Sequence, residues 1–178
     1  MIKKILIIGM MLLWSELAIA KSGLNIFAYP REAPQTPIYT PEGKAIKLGE
    51  LKGKFLLVMF WSRHCAPCIR ELDEINTFVN KTKDNGIEVL LVSKEDEWSL
   101  PTEQRELLKK YEAPDVRYYT DKEGKLAGDF GIFSSPHTVL VNQIGEEIGR
   151  ISGTVDWEDD DVIEYVYKIK AEHGQKNK

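Results

Sequence analysis

The chain has 178 residues, 43% of them hydrophobic and 29% charged, with a formal net charge of −4. This balance excludes a disordered chain, a fibre and a multi-span membrane protein, and the length suits one domain with its own core. No basic patch dominates, so no nucleic-acid partner is expected, and two cysteines are too few for a disulfide-built scaffold.

In chain order, Lys3 and Lys4 precede an apolar run from Ile5 to Trp14, and Ala18-Ile19-Ala20 forms a small-x-small site. Residues 1–20 therefore read as a secretory signal peptide cleaved after Ala20. The alternative is a retained membrane tether. Against it, a span needs about 20 apolar residues, and this stretch is shorter and contains Glu16. Either fate places the folded part in an oxidising compartment, periplasmic or otherwise extracytoplasmic. Residues 21–35, punctuated by Pro30 and Pro34, read as a flexible lead-in. The domain is expected over residues 36–171, with a polar tail over 172–178.

Ile38-Tyr39 and Ala45 to Leu48, separated by Pro41-Glu42-Gly43, predict a small N-terminal β-hairpin extension. Phe55 to Trp61 is a continuous apolar run that suits a central strand buried on both faces. Ile69, Leu72, Ile75 and Val79 recur at helical spacing, and the helix should stop near Asn85-Gly86. Ile87 to Val92 predicts a second buried strand, Pro101 to Tyr111 a helix, and Val116 to Thr120 a short strand before a turn at Asp121 to Gly124. Thr138 to Val141 and Glu147 to Ile151 predict a hairpin. Val162, Ile163, Val166 and Ile169 mark a last helix, with Glu158 to Asp161 at its start, where acids suit the helix dipole. Together these elements give an α/β fold with a mixed central sheet and helices on both faces.

Cys65-Ala66-Pro67-Cys68 lies directly after the buried strand and opens a helix. Backbone N–H groups at a helix N-terminus stabilise an anion, so Cys65 sits where a thiolate is favoured and Cys68 one turn further in. In that arrangement Cys65 attacks a disulfide and Cys68 resolves the mixed disulfide. Pro67 suits the first helical turn, where its missing N–H costs nothing. Three other readings use the same residues. A structural disulfide closing so short a loop contributes only about 2 kcal/mol. Structural zinc wants four ligands, and beyond the pair the sequence offers only His64, His137 and His173. Two soft thiolates with a histidine suit Cu(I). No glycine-rich phosphate loop is present, so no nucleotide is implied.

Leu51-Lys52-Gly53-Lys54, the run Phe55 to Trp61 and Cys65-Ala66-Pro67-Cys68, followed by Ser135-Pro136-His137 to Asn142 and Gly145, resemble the thioredoxin superfamily. More narrowly they resemble its exported TlpA/ResA/CcmG branch, over roughly Pro34 to Lys170. The resemblance implies a thioredoxin-like fold with Cys65 attacking and Cys68 resolving. It also implies a substrate surface of Trp61, Ala66, Pro67, Ser135 and Pro136, with Pro136 cis. Glu71, three residues after Cys68, matches the glutamate that tunes the thiols in ResA-like members. Its plain alternative is an exposed helix glutamate. Ordinary thioredoxins carry a buried acid where this chain has Met59, which leaves Glu71 the nearest carboxylate for proton transfer. Ser135 and His137 depart from the residues usual around that proline, and His64 from the aromatic usual before the first cysteine.

The expected activity is thiol–disulfide exchange with no cofactor beyond the cysteine pair and no bound metal. The resemblance implies reduction of disulfides in extracytoplasmic client proteins, such as apocytochrome c or oxidase assembly factors, in the setting of cytochrome c maturation. It also implies a membrane thiol carrier as electron donor. The alternatives are an oxidase or isomerase of secreted proteins and a copper-handling assembly protein for a respiratory oxidase.

Overall fold

The computed structural model describes residues 23–174, so the expected signal peptide lies outside the described residues. Among them, strands β1 (Leu24–Glu32), β2 (Ile38–Tyr39), β3 (Ala45–Ile46), β4 (Phe55–Phe60), β5 (Ile87–Lys94), β6 (Arg117–Asp121), β7 (His137–Val141) and β8 (Glu146–Ser152) form one sheet, in the order β1-β8-β7-β4-β5-β6-β2-β3. β4, β5 and β6 run parallel. β7 is antiparallel to β4, β8 to β7, and β1 to β8. The helices are α1 (Ala66–Arg70), α2 (Leu72–Thr82), α3 (Pro101–Lys110), α4 (Lys125–Phe130) and α5 (Asp160–His173).

Every residue of β4 is buried. Because side chains alternate across a strand, its six residues serve two cores. Phe55, Leu57 and Met59 point to the face covered by α2 and α5, where Leu72, Phe78, Val166 and Trp157 pack. Leu56, Val58 and Phe60 point to the opposite face, where Leu126 and Phe130 of α4 join Val139 and Val141. α2 stops through a 3-10 turn, Lys83–Asn85, and Gly86 then takes a left-handed φ of 68° that carries the chain into β5. Asp159 caps α5, its carboxylate accepting from the Asp161 N–H at 2.9 Å.

Two expectations are corrected. The segment over residues 21–35, read as a flexible lead-in, contains a nine-residue edge strand, β1. Leu24 and Ile26 pack on the first core. Arg31 donates to the buried Glu147 carboxylate at 2.8 Å, and Arg150 reaches the same carboxylate from β8. Pro30 is tolerated because it falls where the β1–β8 register breaks, on a strand with one neighbour. The single helix expected from Ile69 to Asn85 is two, with Glu71 (φ −87°, ψ −6°) at the junction.

β1 can lie this close because of Gly149. A Cβ there would meet the Asn25 carbonyl at 2.7 Å and Ile26 Cδ1 at 2.8 Å. A Gly149→Val protein is expected to lose about 1–3 kcal/mol of stability in urea unfolding, with protease cleavage appearing first between residues 24 and 32.

Candidate active site

Trp61 leaves β4 still paired, its N–H donating to the Val92 carbonyl at 3.0 Å. The loop to α1 is then held from one side by Glu97, in the 3-10 turn Glu95–Glu97 that follows β5. The Glu97 carboxylate accepts from Ser62 Oγ at 3.0 Å and from the Arg63 N–H at 2.9 Å. Ser62 Oγ in turn accepts from the His64 N–H at 3.1 Å. The Arg63 guanidinium pairs with Glu103 and lies 4.9 Å over the Trp98 ring. Its charge is thereby fixed on a neighbouring carboxylate and ring, while His64 is exposed.

The two cysteines form a disulfide with Cα atoms 5.3 Å apart. Cys65 is the N-cap of α1, and its Sγ accepts from the Cys68 N–H at 3.2 Å. A backbone N–H aimed at a sulfur from the start of a helix favours negative charge there. Cys65 is half-buried whereas Cys68 is 2% exposed, so a second protein can reach only the first sulfur. Ala66 is exposed and Pro67 half-buried on the outer side of the first turn.

Behind the disulfide is a small cavity lined by Met59, Trp61, Cys68, Glu71, Pro136 and Trp157, among others. Glu71 is 6% exposed, which removes the plain reading of an exposed helix glutamate. Its Oε1 accepts from the Val155 N–H at 2.6 Å. Burial is the main cause that pushes its pKa from the ordinary 4.5 to about 7; the Val155 bond opposes this and nearby Glu74 adds to it. Glu71 therefore changes protonation near neutral pH, in the cavity that Cys68 lines. Met59 lines the same cavity.

The Ser135–Pro136 peptide bond is cis. Ser135 lines an open groove with Trp61, His64, Cys65, Ile132 and Phe133, and Phe133 is 92% exposed. Trp61, Cys65, Cys68, Glu71, Ser135 and Pro136 thus converge around one disulfide. His137, the β7 partner of Phe60, has its pKa lowered, chiefly by burial and further by Arg150. Sequence reading missed three contributors: Val155, which anchors Glu71; Glu97, which anchors the loop; and Trp98, whose ring packs 5.8 Å from Trp61. Only Trp98 carried a sequence signal, as a tryptophan shortly after a buried strand.

The Redoxin family model matches residues 31–167. The thiol-disulfide oxidoreductase ResA of Bacillus thuringiensis subsp. konkukian is 30% identical over 141 residues, covering 78% of this chain and 77% of the relative. The thiol:disulfide interchange protein HelX of Rhodobacter capsulatus is 32% identical over 101 residues, covering 57% of this chain and 53% of that protein. The solution structure of a thiol:disulfide interchange protein from Bacteroides sp. matches with a TM-score of 0.64 at 25% identity, over 85% of this chain and 94% of that one. With one accessible sulfur, a shielded partner and a thioredoxin-like sheet beneath them, the chain belongs to the Redoxin family as a thiol–disulfide oxidoreductase of the TlpA/ResA/CcmG-like thioredoxin superfamily.

Proposed function

We propose that this oxidoreductase works as a reductase of disulfide-bearing client proteins outside the cytoplasm, with apocytochrome c and oxidase assembly factors as the client class and a membrane thiol carrier as donor. In the reduced enzyme the Cys65 thiolate attacks a client disulfide. A Cys65–client disulfide forms and one client thiolate leaves. Glu71, ionised, takes the Cys68 proton. The Cys68 thiolate then attacks Cys65 Sγ and releases the second client thiolate. Two electrons have passed to the client, and the enzyme is left with the Cys65–Cys68 disulfide. The donor dithiol restores the reduced state by the same steps in reverse.

The observation that carries this reading is Glu71, poised near pH 7 in the cavity that Cys68 lines. A carboxylate that both binds and releases a proton at working pH is matched to deprotonating a buried thiol. An exported location is supported by the sequence of residues 1–20 and by disulfide chemistry itself, which persists in oxidising compartments. No helix among the described residues is long and apolar enough to cross a membrane.

Equilibration in dithiothreitol buffers tests the direction. A reductase should give a potential near or below about −270 mV; a value near −120 mV would make the protein an oxidant and overturn the proposal. A Cys68→Ala protein should accumulate a mixed disulfide through Cys65, and Cys65→Ser should form none.

Glu71→Gln separates proton transfer from packing, since glutamine keeps the Val155 hydrogen bond. Resolution of the mixed disulfide should slow in this variant and lose its pH dependence around pH 7. Stability gives an independent reading. Between the ordinary carboxylate range and about pH 7 the unfolded chain has lost the Glu71 proton and the folded oxidised protein has kept it. The unfolded state therefore binds fewer protons, and stability falls as pH rises through that window. Glu71→Gln should flatten this fall in urea titrations between pH 4 and 8.

A further inference from the structure

The groove that contains Cys65 has a volume of about 510 Å³, within the roughly 300–1,000 Å³ of pockets that hold ligands. Phe60, Val92 and Ile132, all buried, give it an apolar base, and α4 borders it with Ala127 and Gly128. Two of its carboxylates are already engaged. Glu97 accepts from Ser62 Oγ and the Arg63 N–H, and Asp121 accepts from the N–H groups of Leu126 and Ala127. Lys94 and Glu123, of opposite sign, remain beside His64. The groove therefore has no single sign of charge with which to select a client, and apolar contact is left to discriminate.

Gly128 lies inside α4, where glycine is a poor helix residue. Its φ is not left-handed, so the backbone does not require glycine there. A Cβ at this position would meet no atom within 4 Å among the described residues, so no neighbour excludes one. Alanine would fit and would favour the helix. What the missing side chain leaves is open space at a residue that lines the groove. Phe133 is the converse, a large apolar ring kept in water. The Gly131 and Ile132 N–H groups donate to the Gly128 and Ala127 carbonyls, each at 2.8 Å, and Ile132 is buried in the second core. The chain is thus anchored up to the residue before Phe133, which is 92% exposed and lines the same groove. A single exposed apolar side chain is ordinary. This one stands in the groove that a client disulfide enters to reach Cys65.

A client that reacts at Cys65 brings the residues flanking its own cysteine into this groove. An extended segment advances at most about 3.3–3.6 Å per residue, so the side chains in reach are those within a few residues of the client cysteine. We infer that Gly128 and Phe133 form a client subsite, which takes one large apolar side chain, aromatic before aliphatic, from the extended segment flanking the client cysteine. The space at Gly128 admits the side chain, and the free faces of the Phe133 ring reward an aromatic one beyond the area it buries. The inference rests on the assignment of Cys65 as the attacking thiol.

The test uses the full reduced protein and peptides whose single cysteine carries a 5-thio-2-nitrobenzoate leaving group. The Cys65 thiolate attacks the peptide sulfur, a Cys65–peptide disulfide forms, and thionitrobenzoate leaves with the electron pair and is read by its colour. Phenylalanine, leucine or serine is placed at successive positions on either side of the cysteine. At the position that reaches the subsite, the phenylalanine peptide should react faster than its serine counterpart by about three- to tenfold, the worth of one aromatic contact, with leucine between them. The gap should close in Gly128→Leu, which fills the open space, and narrow in Phe133→Ser. Gly128→Leu replaces an exposed helix glycine with a better helix former, so its urea midpoint should not fall. A closed gap in a protein at least as stable as the wild type is an effect on binding and not on folding. Equal rates for phenylalanine and serine at every position, a preference of the same size at all positions, or a gap that survives both substitutions would overturn the inference. Release of thionitrobenzoate that persists in Cys65→Ser would instead overturn the assignment of Cys65 on which it rests.

Discussion

Strand β4 has no face in water, and the site follows from that constraint. With Phe55, Leu57 and Met59 committed to one core and Leu56, Val58 and Phe60 to the other, a one-residue slip would exchange every side chain between two differently shaped cores. The register with β5 on one side and β7 on the other is therefore fixed. That register sets where the strand ends. It places Trp61 against Val92, sets Cys65 as the N-cap of α1, and brings His137, with Pro136 before it, level with Phe60. The cysteine pair and the proline loop meet although Pro136 comes 68 positions after Cys68.

Glu71 is a carboxylate in a place that packing alone does not favour. A buried carboxylate that accepts from the Val155 N–H and has a neighbouring acid, Glu74, is a poor choice for packing alone. Glutamine would accept the same hydrogen bond without a charge to desolvate. What the carboxylate adds is a group whose pKa is raised to about 7, in a cavity that Met59, Leu72, Trp157 and Cys68 also line. The same contact has a structural side. Glu71 and Glu74 both accept from the segment between β8 and α5, at Val155 and Trp157, so the carboxylates that flank the start of α2 also pin the loop that closes the cavity.

What was legible in the sequence follows how local each signal is. β4, β5, β7, β8 and α5 announce themselves because their burial is written in consecutive or periodic apolar residues. The cysteine pair was legible because a strand exit and a helix start bracket it. β1 was not: it is a half-exposed edge strand interrupted by Pro30, and its partners Arg150 and Glu147 lie more than a hundred residues on. α4 has six residues, between Gly124 and Gly131, and its first turn is held by a residue outside the helix, at the end of β6. The buried Asp121 carboxylate receives the N–H groups of Leu126 and Ala127, each at 2.9 Å. Glu71 was legible as a candidate only through resemblance, because the helix break that turns it inward and the Val155 N–H that holds it belong to tertiary structure.

β1 also fixes how the rest of the chain meets the site. From β4 to β7, from β7 to β8 and from β8 to β1, each step is antiparallel. Phe60 at the redox end of β4 pairs with His137, His137 with Ser152, and Leu24 with Ile151 beside it. The Ser152 N–H reaches the Gly23 carbonyl, and the Gly153 N–H donates to the Pro136 carbonyl at 3.0 Å. The first described residue is thus three strands from β4, at the end of the sheet that carries the disulfide. Neighbouring strands are about 4.8 Å apart, so the chain joins the fold roughly 15 Å from the strand that presents Cys65.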